Sequence, residues 1–237
     1  MRRDSTVTAA VILAGGLGTR LRSVVPGLPK PMAPVAGRPF LEHQLDYWIA
    51  QGVDRFVLSV GYRHEIIINH FGIRYKGAEI DYVIEQVPLG TGGGLLLAAE
   101  KVGNGVPFLL LNGDTYFEVD LKALTEFARI NDADWCFSLF RTNEQGRYMG
   151  MDVLPQGQIV ALKSGAGRLA NGGVYWVGPS ALLHERYTPG DKVSLEEDLF
   201  PSAMASGQRL FGIEFPGAFI DIGVPEDYHR APALLAL

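Results

Sequence analysis

A chain of 237 residues, 47% of them hydrophobic and 20% charged, is long enough to bury a substantial core and lies near the upper end of a single domain. Its formal net charge of -5, with no basic run longer than Arg2-Arg3, offers no electrostatic footprint for nucleic acid. The only cysteine, Cys136, excludes an intrachain disulfide and a cysteine-built zinc site, and it reads as a buried strand residue in a reducing compartment.

Arg2-Arg3 followed by "TVTAAVILAGG" imitates a secretory signal, but the apolar run ends in Gly-Gly-Leu-Gly-Thr-Arg rather than at a small-residue cleavage site. Nothing later reaches the roughly 18 apolar residues of a spanning helix, so a cytoplasmic protein with no membrane partner is expected. The run "TAAVILAGG" predicts a strand, and "PFLEHQLDYWIAQG" a helix with an apolar face at Phe40, Leu41, Leu45, Trp48 and Ile49 and a stop at Gly52. "RFVLSVGY" predicts a buried strand, "RHEIIINHFG" a short helix, and "AEIDYVIEQ" a strand. "TGGGLLLAAEKVG" predicts a glycine-led helix, "PFLLLNGD" a strand, and "DLKALTEFARIND" a helix capped by Asp120. Such alternation implies a parallel sheet covered by helices on both faces, with ligands beyond the carboxyl ends of its strands. From about residue 135 the pattern turns to short strands: "WCFSLFRT", "GMDVLP", "QIVALKS", "GGVYWVG" and "RLFGIEFPGAFIDIG". "SLEEDLFPSAMASG" is the one clear helix there apart from the chain end.

Four of the early strands run into polar or glycine-rich turns. In the first, Gly15, Gly16 and Gly18 let a backbone approach a phosphate closely, while Arg20 and Lys30 carry charge to neutralise its oxygens. The same glycines also suit a bare turn, and neither a P-loop nor a G-x-G-x-x-G dinucleotide turn is present. Asp114 and Asp221 each follow a strand-like run, where an aspartate serves a metal or a turn. The histidines show no metal-ligand spacing, since six residues separate His64 from His70.

"LAGGLGTRLRSVVPGLPKPMAP" resembles the signature of the sugar-1-phosphate nucleotidylyltransferases. The resemblance continues through "EQVPLGTGGG", "LNGDTYF", "NGGVYW", "SLEED" and "FIDIGVPEDY", almost the whole chain. It implies a Rossmann-like α/β nucleotidyltransferase fold: a mixed, mostly parallel sheet flanked by helices, with a small β-rich sugar-binding lobe. One domain over 1-237 is expected, with a nucleotide half to about 134 and a sugar-phosphate half from about 135. The implied reaction joins a nucleoside triphosphate to a sugar 1-phosphate and releases pyrophosphate, with Mg2+ as cofactor. By the same resemblance Leu13, Ala14 and Gly113 contact the nucleotide, Gly15, Gly16, Gly18 and Thr19 hold its phosphates, Arg20 holds the leaving pair, and Lys30 the reacting ones. Asp114 and Asp221 correspond to the magnesium aspartates. Gln86, Leu89, Gly90 and Thr91 correspond to the base contacts, with Gly92 and Gly93 opening a helix close to the ligand. Asn171, Gly172, Glu196 and Lys163 correspond to the sugar-phosphate side. Two departures stand out: Leu162-Lys163-Ser164 where relatives carry Glu-Lys, and Met149 after Arg147-Tyr148 where relatives carry glycine. They leave Lys163 and Arg147 open as substrate contacts.

Within the family, "PKPMAPV", "PFLE", "LNGDTYF" and "DIGVPEDY" are most similar to the D-glycero-alpha-D-manno-heptose 1-phosphate guanylyltransferases, which implies GTP and that heptose 1-phosphate. A UTP- or dTTP-dependent hexose or amino-sugar enzyme, and a non-catalytic nucleotide-sugar-binding subunit, remain as alternatives. A homodimer is left open, and no appended acyltransferase domain is expected.

Overall fold

The computed structural model describes residues 7–21, 23–103, 105–142, 147–164, 168–183 and 186–236, with only the backbone of Lys163 and Ser164. The apolar run at the start forms β1 (Ala9–Ala14), and the Pro31 region forms a single 3-10 turn over Lys30–Met32. A small hairpin follows, β2 (Pro34–Val35) and β3 (Arg38–Pro39), which the sequence pattern did not announce. Its turn takes Ala36 and Gly37 through positive φ, the twist that a two-residue hairpin loop requires. The helix α1 (Phe40–Ala50) buries Phe40, Leu41, Leu45 and Trp48, as its spacing predicts.

β4 (Arg55–Val60), α2 (His64–Phe71), the short β5 (Arg74–Tyr75), β6 (Ala78–Ile84), α3 (Gly90–Val102) and β7 (Phe108–Asn112) complete the alternating half. β8 (Thr115–Phe117) leads into α4 (Leu121–Ile130), where the Asp120 side chain accepts from Ala123 N at 2.9 Å and caps the helix as expected. The later strands are β9 (Trp135–Arg141), β10 (Met149–Val153), β11 (Ile159–Ser164) and β12 (Leu169–Val177). The segment read as one helix is a π turn over Leu195–Leu199 followed by α5 (Phe200–Ala205). Pro201 lacks the N–H that would continue the ladder, so the helix restarts there. The long run "RLFGIEFPGAFIDIG" is two strands, β13 (Leu210–Glu214) and β14 (Phe219–Asp221), divided at Pro216-Gly217; α6 (Pro225–Leu235) closes the described chain.

One sheet runs in the order β11-β10-β12-β7-β1-β4-β6-β5, with β9 joining β12 to β13. It is mixed and flanked by helices, as expected. β7, β1, β4 and β6 pair in parallel, whereas β12 meets β7, β9 and β10 antiparallel. Alternation sends Ile12, Phe56, Leu58 and Leu111 into a layer with Leu41, Leu45 and Trp48 of α1. Val11, Val57, Val83 and Leu110 enter the opposite layer with Leu95 of α3 and Phe200 of α5. Cys136 is fully buried, and burial raises its thiol pKa well above the usual value, which suits packing rather than nucleophilic attack.

The parallel order brings Ala14, Val60, Ile84 and Asn112 to one rim. β8 and β14 form a separate two-stranded ribbon against that rim, in which Thr115 stands opposite Asp221.

Candidate active site

A cavity of about 270 Å³ opens at this rim, lined by Leu13, Gly15, Gly16, Leu17, Glu85, Pro88, Gly90, Thr91, Asn112, Gly113 and Asp114. The fold thereby brings together most of the nucleotide-side residues expected from the sequence. Gly113 is fixed by space: a Cβ there would stand 2.4 Å from Leu13 O, because its own N–H donates to that carbonyl at 3.0 Å. Ala14 is buried in β1, and Leu89 is buried as well; neither lines the cavity. Gly18 has φ +58 and packs on the Lys30 stem, its notional Cβ 3.3 Å from Lys30 Cβ. Thr19 and Arg20 are exposed in the turn after it and do not line the cavity.

Lys30 projects from its 3-10 turn, and its Nζ meets Asp114 Oδ2 at 2.5 Å with the lysine side chain only 11% exposed. Asp221 accepts from Gly223 N at 2.6 Å, and Ile222 N donates to Asp114 O at 2.9 Å, so the ribbon carries the two aspartates side by side. Gly223 fits between the groups: a Cβ there would stand 2.7 Å from Asp221 Oδ1 and 3.1 Å from Lys30 Nζ. Burial pushes the Asp221 carboxyl up and the Asp114 charge adds to it, while Lys30, the Gly223 N–H and Arg147 pull the other way; the net direction is upward. Two carboxylates and one lysine thus crowd a partly buried strip. Among the described residues no group of three or more His, Cys, Asp or Glu is placed to hold a metal. A carboxylate pair with open space beside it is the donor set of a hard cation that also binds phosphate oxygens.

Asp221 borders a second cavity of about 380 Å³, walled by Tyr148, Phe140 and Phe219. Asp227 of α6, 2% exposed, pairs there with Arg147 and with Arg230 at 2.9 Å. Arg147 is therefore held by a buried carboxylate near Asp221.

Among the residues expected at the base, the lining differs from the expectation. Gln86 is exposed and does not line the cavity, whereas Glu85 does. Glu85 Oε1 accepts from Ser59 Oγ at 2.9 Å and Oε2 from Leu89 N at 3.1 Å. Strand alternation carries the missed signal: the two-residue period places Glu85 on the face of buried Val83, and Glu85 N extends the ladder to Val60 O at 2.8 Å. Gly92 and Gly93 lie in the first turn of α3, just past the cavity-lining Gly90 and Thr91, and their N–H groups donate to Val193 O at 2.9 and 3.0 Å. A Cβ at Gly93 would fall 2.4 Å from Asp191 O, so these glycines admit the 191–194 segment against the helix.

On the other side, Asn171 Nδ2 donates to Tyr175 Oη at 2.7 Å, and its Oδ1 accepts from Gly173 N at 3.1 Å. Gly172 lies where a Cβ would meet the Phe117 ring at 2.5 Å. Glu196 is half-buried beside Thr91, whose hydroxyl donates to Glu196 Oε2 at 3.1 Å. Lys163 stands opposite Gly150 in the register of β10 and β11, and its side chain lies outside the described residues. His43, His64 and His70 bind Val35 O, Gly61 O and Glu42, respectively, all structural contacts.

No helix among the described residues is long and apolar enough to cross a membrane. The nucleotidyl transferase family model matches residues 9–236. A D-glycero-alpha-D-manno-heptose 1-phosphate guanylyltransferase of Aneurinibacillus thermoaerophilus is 40% identical over 226 residues, 94% of this chain and 96% of that one. The enzyme of the same name from Campylobacter jejuni is 37% identical, over 93% of this chain and 97% of its own. Among solved structures, HddC from Yersinia pseudotuberculosis complexed with GMP-PN superposes with a TM-score of 0.82 at 33% identity, over 96% of this chain and 99% of that one.

Proposed function

The chain belongs to the nucleotidyl transferase family, and from that premise we propose that it transfers the guanylyl group of GTP to D-glycero-alpha-D-manno-heptose 1-phosphate, releasing pyrophosphate. The observation that carries the reading is the placement of Lys30 against Asp114, next to Asp221, at the edge of a glycine-walled cavity. In such a transfer a phosphate oxygen of the sugar 1-phosphate forms a bond to the α-phosphorus as the bond to the bridging oxygen of pyrophosphate breaks. The rate comes from alignment and from stabilising spread negative charge.

This chain's groups divide that work. Backbone around Gly15 and Gly16 lets the triphosphate lie close to β1, and Lys30 brings a fixed positive charge to the reacting phosphate. Exposed Arg20 is within the loop that follows and suits the leaving pyrophosphate, which must also be released to solvent. Asp114 and Asp221 would hold Mg2+, which when bound neutralises phosphate charge that two crowded carboxylates cannot. Asn171 and Glu196 offer an amide and a carboxylate to sugar hydroxyls. Both substrates are small anions, which fits a cytoplasmic setting.

Glu85 supports the choice of base. A carboxylate pairs with an edge that presents two N–H donors together, as the N1–H and 2-amino group of guanine do. Uracil and thymine set one N–H between two carbonyls, and a carboxylate repels those. Each Glu85 oxygen already accepts one protein hydrogen bond and retains capacity for a second.

Pyrophosphate release measured over a grid of GTP, UTP, dTTP and CTP against heptose, mannose and glucose 1-phosphates tests the proposal. The highest kcat/KM is expected for GTP with the heptose. A maximum with UTP or dTTP overturns the base assignment, and nucleotide binding without turnover on any sugar phosphate overturns the enzymatic reading.

A further inference from the structure

Thr91 lines the nucleotide cavity, but its hydroxyl is committed elsewhere. Oγ1 accepts from Leu195 N at 2.9 Å and donates to Glu196 Oε2 at 3.1 Å, across 105 residues of sequence. Ser194 Oγ donates to the same carboxylate oxygen at 3.2 Å while accepting from Glu197 N at 3.1 Å. Two hydroxyls therefore fix Oε2, and among the described residues no hydrogen bond occupies Oε1. The backbone behind these side chains is fastened to the same place. Val193 N donates to Leu89 O at 2.8 Å, and Val193 O takes the N–H groups of Gly92 and Gly93. Leu89 N in turn donates to Glu85 Oε2, so one hydrogen bond separates the carboxylate facing the base from the residue that carries the 193–196 segment.

From this arrangement we infer that Thr91 is a positioning residue for Glu196, and that through it the seat of the nucleotide sets the geometry of the seat of the sugar. The inference rests on the reading that Glu196 accepts sugar hydroxyls. A carboxylate free to rotate spends its charge on water; one pinned by two hydroxyls presents the second oxygen in one direction. The single proton of the Thr91 hydroxyl goes to Glu196, so it has none to donate to a phosphate oxygen. Loss of the hydroxyl should therefore be felt at the sugar and not at the nucleotide, although the residue belongs to the nucleotide loop.

Thr91→Val keeps the shape and removes the hydroxyl; Thr91→Ser keeps the hydroxyl. With GTP and D-glycero-alpha-D-manno-heptose 1-phosphate as probes, Thr91→Val is expected to raise the sugar phosphate KM about tenfold, as for one hydrogen bond to a charged group, with the GTP KM unchanged. Thr91→Ser should restore the sugar KM. Adding Thr91→Val to Glu196→Gln should cost little beyond Glu196→Gln alone, because both act through one carboxylate. The inference is overturned if Thr91→Val raises the GTP KM instead, if Thr91→Ser does not restore the sugar KM, or if the two substitutions are additive. If Glu196→Gln itself leaves the sugar KM unchanged, the reading beneath it fails too; if Glu196→Gln acts and Thr91→Val does not, the inference fails alone.

Discussion

Glu85→Gln replaces one carboxylate oxygen by an amino group and changes almost nothing else in volume, so it isolates charge and donor pattern at the base end of the cavity. Leu89 N has to keep an acceptor, which the amide oxygen supplies, and the Ser59 hydroxyl can turn from donor to acceptor toward the new NH2. The fold is thus preserved while the group presented to the base becomes half donor. A guanine edge with two donors then loses one charged acceptor, a loss of about 1.5–3 kcal/mol, or roughly 10–100-fold in kcat/KM for GTP. A uracil edge gains a complement for one of its carbonyls, so the UTP value should rise. Continuous pyrophosphate release with saturating sugar phosphate measures both values on one preparation. An unchanged ratio of GTP to UTP would refute the argument that Glu85 reads the base.

Three other outcomes follow from the same geometry. Lys30→Ala should lower turnover by roughly 10²–10³-fold with unchanged circular dichroism, and pyrophosphate release close to that of the parent would remove Lys30 from the machinery. Burial and the Asp114 charge raise the Asp221 carboxyl above its usual 3.8, so the ionised group costs the fold stability above the raised value. That cost disappears as pH falls through the window between the raised value and 3.8. Asp221→Asn is therefore expected to raise Tm at pH 7 in metal-free buffer while abolishing turnover, with the gain shrinking on acidification; a lowered Tm at pH 7 contradicts it. Asp227→Ala leaves Arg147 without its buried carboxylate and should cost about 2–4 kcal/mol in urea unfolding, below the figure for a fully buried pair because Arg147 is 26% exposed. A loss under about 0.5 kcal/mol would show that the pair contributes little.

The alternating half was legible because each element carries its own signal. β1, β4 and β7 are short apolar runs ended by turn residues, α1 has its apolar stripe, and Asp120 caps α4 where its position demands. The cavity-lining position of Glu85 was also readable, since the period that buries Val83 points Glu85 to the same face. "RLFGIEFPGAFIDIG" looked continuous because Leu210, Phe211, Ile213, Phe215, Phe219, Ile220 and Ile222 favour a strand on both sides of Pro216-Gly217, yet β13 pairs with β9 and β14 with β8. What no local pattern holds is distance in sequence. Lys30 meets Asp114 across 84 residues, and Thr91 meets Glu196 across 105. The glycines of "GTGGG" belong to the same class. The family resemblance implied that they lie close to a ligand, and the contact they make at Gly92 and Gly93 is with Val193, which enters from the other half of the chain.

The fate of phosphorus labels tests the central claim most directly. With heptose 1-phosphate and GTP labelled at the α- or the γ-phosphate, the account predicts that the α label appears in a nucleotide sugar and the γ label in pyrophosphate. Transfer of the γ label to the sugar, or its release as inorganic phosphate by the purified chain alone, would contradict it.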